Sequence, residues 1–158
     1  MNTKEYERIA SLYLDCVYRV AVNGCKSYAD AEDVVQNTFI KLWEKENHFK
    51  DDEHVRKWLI RVTVNECHSL WRTPWKRCIT SLEEIVQEQV FTELEKSELY
   101  DAVRELPVKY RQIVHLYYYE EYSVREISEI MKLSETAVQT RLLRARQKLK
   151  EKLKEAWQ

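Results

Sequence analysis

Ser123-Val124-Arg125-Glu126-Ile127-Ser128-Glu129-Ile130-Met131-Lys132-Leu133-Ser134-Glu135-Thr136-Ala137-Val138-Gln139-Thr140-Arg141-Leu142-Leu143-Arg144-Ala145-Arg146 encodes two helices and the turn between them. Ser123 and Glu126 make a capping box: the hydroxyl accepts from a backbone N–H three residues on, and the carboxylate reaches back to the N–H of the cap. The short helix so started carries Ile127, Ile130 and Met131. Lys132-Leu133 forms a tight turn, and Ser134 caps a long last helix. There Val138, Leu142, Ala145, Leu149 and Leu153 recur on the helical period and form a buried stripe. Thr136, Gln139, Thr140, Leu143 and Arg144 face away, flanked by Arg141, Arg146 and Lys148. A short helix, a brief turn and a long basic helix describe a helix-turn-helix, whose second helix enters the major groove of DNA. Its threonines and glutamine can bond base edges, and Leu143 can touch a thymine methyl. A plain helical hairpin would show the same stripe; the basic load favours DNA.

Composition agrees with a helical chain. The 158 residues contain one glycine and two prolines, too few glycines to bring backbone against a nucleotide's phosphates and too few turn residues for a sandwich or barrel. With 44% apolar and 34% charged residues the chain is globular rather than disordered or membranous. The expected fold is all-α. The net charge of −1 hides segregation. Arg56 to Arg77 holds six Lys/Arg against Glu66, and Lys132 to Lys154 holds eight against Glu135 and Glu151. Between them, Glu83 to Asp101 sets seven acids against Lys96. Two basic blocks around an acidic one suit two contacts with a polyanion and a linker that avoids it. The expected organisation is therefore an N-terminal helical domain (1–79), an acidic linker (80–98) and a C-terminal helix-turn-helix domain (99–158). Cys16, Cys25, Cys67 and Cys78 form no C-x-x-C pair, the start lacks a signal peptide, and a reducing cytoplasm with small buried thiols is expected.

In the N-terminal half, Tyr6, Ile9, Tyr13, Val17 and Val20 mark a helix to about Val22, with Gly24 as a left-handed stop. Asp30 is the expected cap of a second helix running to about Lys45. Stepped at about 100° per residue, it gathers Val35, Phe39, Leu42 and Trp43 on one arc. Asp33, Asn37, Ile40, Lys41 and Glu44 lie on the other, with Gln36 at its border. Ile40 amid charges hints at a partner surface, although single exposed apolar residues are common. A third helix runs from about Val55 to Arg72, bounded by Pro74. Leu59, Ile60, Thr63, Val64, Cys67, Leu70 and Trp71 form its buried arc; Trp58, Arg61, Val62, Asn65, Ser69 and Arg72 form the other. The latter suits single-stranded nucleic acid, since arginines neutralise phosphates, tryptophan stacks on bases and an amide reads base edges. Trp58 packing under a neighbouring loop is the plainer account. Farther on, Leu99, Val103 and Leu106 start a stripe broken by Pro107, and a helix from Val108 to about Tyr119 holds aromatics expected in the core.

Taken in order, Asp30-Ala31-Glu32-Asp33-Val34-Val35-Gln36-Asn37-Thr38-Phe39-Ile40-Lys41-Leu42-Trp43, then Arg56-Lys57-Trp58-Leu59-Ile60-Arg61-Val62-Thr63-Val64-Asn65, then the blocks from Leu106-Pro107 to Arg146 resemble the extracytoplasmic-function group of bacterial RNA polymerase sigma factors. The chain departs from that pattern at Met131-Lys132-Leu133, where a turn glycine is usual, and at Ser134 and Thr136, where a proline and glycine often open the last helix. The resemblance implies that Asp33, Gln36, Asn37, Ile40 and Lys41 dock on the coiled-coil clamp of core RNA polymerase. It further implies that Trp58, Arg61, Asn65, Ser69 and Arg72 face the minus-ten element, with Phe49 and Asn65 pocketing a flipped base. On the same resemblance Ser134, Thr136, Gln139, Thr140, Arg141 and Arg144 read the minus-thirty-five element, and the acidic linker threads toward the RNA exit channel. Promoter DNA and an anti-sigma protein, often membrane-bound in the group, are the other implied partners, and catalysis belongs to the polymerase. No cofactor, metal or small-molecule substrate is expected.

Two other readings compete. A stand-alone helix-turn-helix regulator would use its N-terminal half to bind ligand or dimerise, which leaves the Trp58–Arg61–Asn65 face unexplained. A metal-assisted enzyme would need Cys67, His68 and Glu66, or zinc on Cys67, His68 and His48 or His54, a spacing that matches no common ligand pattern.

Overall fold

A computed structural model describes residues 1–45, 48–72 and 98–156. Every long regular element among them is helical, as expected. The chain divides into two compact units, Met1–Thr80 and Ser81–Gln158. The acidic linker, apart from its last residue, together with Pro74 and Cys78, lies outside the described residues.

The first unit is three helices, α1 (Thr3–Gly24), α2 (Tyr28–Glu44) and α3 (Asp52–Trp71), each packed on the other two. Ile9, Val17 and Val20 of α1 meet Val34 and Leu42 of α2 and Leu59, Ile60 and Val64 of α3 in a core from which water is excluded. Two buried threonines sit in it without cost in unmade hydrogen bonds. Thr38 donates to the carbonyl of Val34 (2.8 Å) and Thr63 to that of Leu59 (2.6 Å), with the two hydroxyls 3.5 Å apart.

Side-chain caps set the helix starts. Asn2 accepts from the N–H of Glu5 (2.8 Å), Ser27 from Asp30 (3.1 Å) and Asp51 from His54 (2.8 Å). Two expectations are thereby corrected. Asp30 is not the cap of α2: Ser27, three residues earlier, accepts the Asp30 N–H, and Asp30 lies in the first turn, where a carboxylate favours the helix dipole. Asp51 likewise starts α3 at Asp52 rather than Val55. Gly24 needs no left-handed backbone, because α1 runs through it and leaves by the extended Cys25 (φ −122°, ψ 157°). The α2 arc shifts as well. Ala31, Val34, Val35, Thr38, Phe39 and Leu42 are buried, whereas Trp43 is 48% exposed, its ring set edge-on to Tyr6 at 5.3 Å. Leu70 and Trp71 are half-buried, since they lie at the end of α3, beyond most of its partners.

The second unit contains α4 (Glu98–Glu105), α5 (Val108–Val114), α6 (Val124–Met131) and α7 (Glu135–Ala156). Leu106, Ile113, Leu116, Ile127, Ile130, Val138, Leu142 and Ala145 make its core. Leu149 and Leu153 are only half-buried, in the stretch of α7 where Lys152 pairs with Glu105 of α4 (2.8 Å). Leu99 is exposed, and Ala102 with Leu106 is buried in its place. The expected single helix from Val108 to Tyr119 widens at its end into a π-turn, His115–Tyr119. That turn swings Tyr118 and Tyr119 outward, 53% and 55% exposed, so only Tyr110 of the expected core aromatics is fully buried in this helix. Behind the turn, His115 Nε2 and Glu120 Oε1 lie 3.1 Å apart in the interior, and the His115 ring stacks on Tyr119. Glu121 then reverses the chain with φ 62°.

Candidate nucleic-acid interface

On α2 the residues expected to meet a partner, Asp33, Gln36, Asn37, Ile40 and Lys41, are all exposed. Ile40, 54% exposed, is followed three residues on by the exposed Trp43, so the helix offers two apolar side chains a turn apart. Lys41 is committed to an ion pair with the partly buried Glu66 of α3. It therefore ties the two helices together at the edge of this face.

The opposite arc of α3 is arranged as the helical period demands. Arg61, Ser69 and Arg72 are exposed, and Trp58, Val62 and Asn65 are half-buried. The chain entering α3 folds back on it: the N–H of Lys50 donates to Nδ1 of His54 (3.0 Å). This brings Phe49 edge-on to Trp58 at 5.5 Å and to His54 at 5.3 Å. Lys45 places its ammonium 4.9 Å from the Phe49 ring centre and 5.3 Å from that of Trp58, within cation–π range. Asn65 stands on the same face as Trp58 but two turns farther on, about 10 Å along the axis. Phe49 and Trp58 thus form one half-buried aromatic cluster at the start of α3, while Asn65 and Arg72 extend its polar face.

In the second unit both arms of the capping box are made, Glu126 N–H to Ser123 Oγ (3.1 Å) and Ser123 N–H to Glu126 Oε1 (3.2 Å). Lys132 takes the left-handed conformation (φ 56°, ψ 45°) that a turn glycine would otherwise supply, and the N–H of Leu133 returns to the carbonyl of Ser128 (3.0 Å). Ser134 Oγ accepts from the Ala137 N–H (3.0 Å), which starts α7. With Val138, Leu142 and Ala145 buried, the other face of α7 presents Thr136, Gln139, Leu143 and Arg144 to solvent, with Thr140 and Arg141 half-buried. Thr140 spends its hydroxyl proton on the Thr136 carbonyl (2.9 Å) and keeps its lone pairs for a donor. The flanking bases are differently engaged. Arg146 donates from Nε to the Tyr118 hydroxyl (2.6 Å), its guanidinium lying over the Tyr117 and Tyr118 rings at 5.7 and 5.6 Å. Lys148 leans on Tyr110 at 5.8 Å. Exposed, Arg144 remains the guanidinium most open to a duplex on this face.

Residues 9–77 match the model of sigma-70 region 2, and residues 96–149 match that of sigma-70 region 4. The ECF RNA polymerase sigma factor SigM of Bacillus subtilis (strain 168) is 32% identical over 151 residues, an alignment that takes in 91% of this chain and 92% of SigM. The chain belongs to the extracytoplasmic-function sigma factors. SigW of the same organism, another ECF sigma factor, is 27% identical over 164 residues, covering 93% of this chain and 88% of its own. The fold agrees with that of sigma factor RpoE from Bartonella quintana, solved with its anti-sigma factor NepR (TM-score 0.70, 22% identity, 96% of this chain and 98% of that one). In this chain the region 2 match spans most of α1 with α2 and α3, and the region 4 match spans α4, α5, α6 and most of α7.

The regulator lacking a polymerase partner is not favoured, because it gives the region 2 match no role. Nor are the residues of the metal-assisted reading gathered. Cys67 faces the core, His68 packs on Trp71 at 4.4 Å and Glu66 pairs with Lys41. Among the described residues, no group of three or more His, Cys, Asp or Glu is placed to hold a metal ion, and no helix is long and apolar enough to cross a membrane. Sequence reasoning missed Trp43, Lys45 and His54 as members of these surfaces. The spacing of Trp43 to Ile40 was the available signal for the first. Lys45 and His54 join Phe49 through tertiary contacts that no helical period reveals.

Proposed function

We propose that this sigma factor divides promoter opening between its two units, with the α2 face docking on core RNA polymerase, α3 capturing the minus-ten strand and α7 reading the minus-thirty-five duplex. The observation that carries this reading is the half-buried Phe49–Trp58 pair beneath Lys45, continuous with Arg61 and Asn65 on one face of α3. Half-buried rings with a cation over them suit an unstacked base better than an intact duplex, since a base can stack only after leaving its pair. The exposed Gln139 and Arg144 suit the intact duplex, where an amide can bond adenine bidentately and a guanidinium can meet phosphate or guanine. On this reading Asp33, Gln36, Asn37, Ile40 and Lys41 contact the polymerase, and Phe49, Trp58, Arg61, Asn65, Ser69 and Arg72 contact the minus-ten element. Ser134, Thr136, Gln139, Thr140, Arg141 and Arg144 contact the minus-thirty-five element.

The sigma factor makes and breaks no covalent bond; the polymerase does the chemistry, which puts the protein in the cytoplasm beside it. Its activity is held in check by an anti-sigma partner, a reading supported by the Bartonella complex and by that of CnrH with the cytosolic domain of CnrY (TM-score 0.65, 23% identity, covering 98% of this chain and 90% of CnrH). The deciding experiment is transcription of a genomic DNA library by core polymerase with and without this protein, sequencing the RNA starts. A shared pair of upstream elements at the dependent starts is the expected result; starts unchanged by the protein would refute the reading.

A further inference from the structure

We infer that Cys25 and Cys67 form a thiol-oxidation site, at which a peroxide converts two touching core cysteines into a disulfide joining α1 to α3. Cys25 is the residue at which α1 ends, and Cys67 lies in the last turns of α3. Their Sγ atoms are 3.5 Å apart, the Cys25 thiol directed at the Cys67 sulfur, which in turn lies 4.0 Å from the Ala21 carbonyl. A disulfide needs the sulfurs at about 2.05 Å, so about 1.5 Å of approach suffices. Cys25 can supply it, because it is extended backbone beyond the helix end rather than a rung within it. The indole N–H of Trp71 donates to the Gly24 carbonyl (2.9 Å), so α3 is already tethered beside the pair.

Position sets the order of events. Both thiols are buried, so a small oxidant enters by local opening, and Cys25, on extended backbone beyond the end of α1, meets it first. The Cys25 sulfur attacks one peroxide oxygen; the O–O bond breaks, one water leaves and a sulfenic acid forms. The Cys67 sulfur then attacks the Cys25 sulfur, the S–O bond breaks and the second water leaves. Two thiols lose two electrons and the peroxide becomes two waters. In a reducing compartment such a bond is transient, as redox-sensing disulfides are. The bond closes the chain between residues 25 and 67, a loop that contains α2 and most of α3, and it narrows the unfolded ensemble.

The test uses the full chain, exposed to hydrogen peroxide, alkylated, denatured and digested without reductant. The expected product is a single intramolecular Cys25–Cys67 peptide pair, with Cys16 and Cys78 alkylated and the first unit's thermal midpoint raised on the order of 10 °C, reversed by dithiothreitol. A C16S/C78S double variant should give the same bond and shift. Four alkylated thiols at a peroxide excess that oxidises glutathione, bonding through Cys16, Cys78 or a second chain, or a bond that leaves the midpoint unchanged or lower would each overturn the inference.

Discussion

Ile40 and Trp43 stand a turn apart on the exposed side of α2, and Asp33 lies two turns before Ile40 on the same face. Because these side chains point away from the core, changing them tests binding without unfolding the unit. Asp33→Lys combined with Ile40→Ala should weaken affinity for core polymerase by about 2 kcal/mol or more, since a few anchors dominate an interface. Titration of labelled variant into core checks it, with circular dichroism confirming the fold; undiminished affinity would remove α2 from the interface. Single residues also separate the two proposed DNA contacts. Arg144→Ala should lower affinity for minus-thirty-five duplex and reduce the salt slope by about one. Gln139→Ala should relax base preference instead. Phe49→Ala and Asn65→Ala should leave duplex binding intact yet impair promoter opening, read as permanganate reactivity of unpaired thymines. If Asn65→Ala opens promoters like the parent and keeps its minus-ten preference, α3 is not the melting element.

The helix-turn-helix turn is an element whose local chemistry is fully visible. Lys132 holds a left-handed conformation that costs a residue bearing Cβ about 1–2 kcal/mol. Lys132→Gly removes that strain but adds unfolded-state freedom, so a net gain of about 0.5–1 kcal/mol in the second unit is expected from urea unfolding. Ser123→Ala should act oppositely, losing the cap and about 1 kcal/mol. A destabilised glycine variant would show that the Lys132 side chain, not its backbone, sets the turn. These two helices were legible in advance because capping and an apolar period act within a few residues. The π-turn was not. It goes with the interior pairing of His115 and Glu120, which the one-dimensional pattern of Val108 to Tyr119 does not encode.

For the whole molecule, two separate cores imply two separable stabilities. Leu59 is fully buried in the first unit, and Leu59→Ala removes a core side chain at a typical cost of about 2–5 kcal/mol. That loss should fall on α1–α3 alone. Hydrogen exchange should rise across them while protection in α6 and α7, and affinity for minus-thirty-five duplex, stay at parent values. Exchange rising equally in both units would mean that they unfold as one, and that the expected division near residues 79 and 99 is misplaced.

Read from the sequence, the helical class, the capping box, the α6 stripe and the middle of the α3 and α7 stripes (Leu59 to Cys67, Val138 to Ala145) came out right, as did the order of blocks that marks the family. All but the last depend on a local period or on partners within four residues. The tertiary structure decided the rest. Trp43 was expected inside and lies at the surface against Tyr6; Tyr118 and Tyr119 were expected in the core and stand outside it. A helix's own period says which residues share a face, but only the neighbour that comes to cover that face says how far burial reaches around it. The same holds for Lys41 on Glu66, for Lys45 over Phe49 and Trp58, and for Cys25 against Cys67, 42 residues apart in sequence and in contact through the packing of α1 on α3.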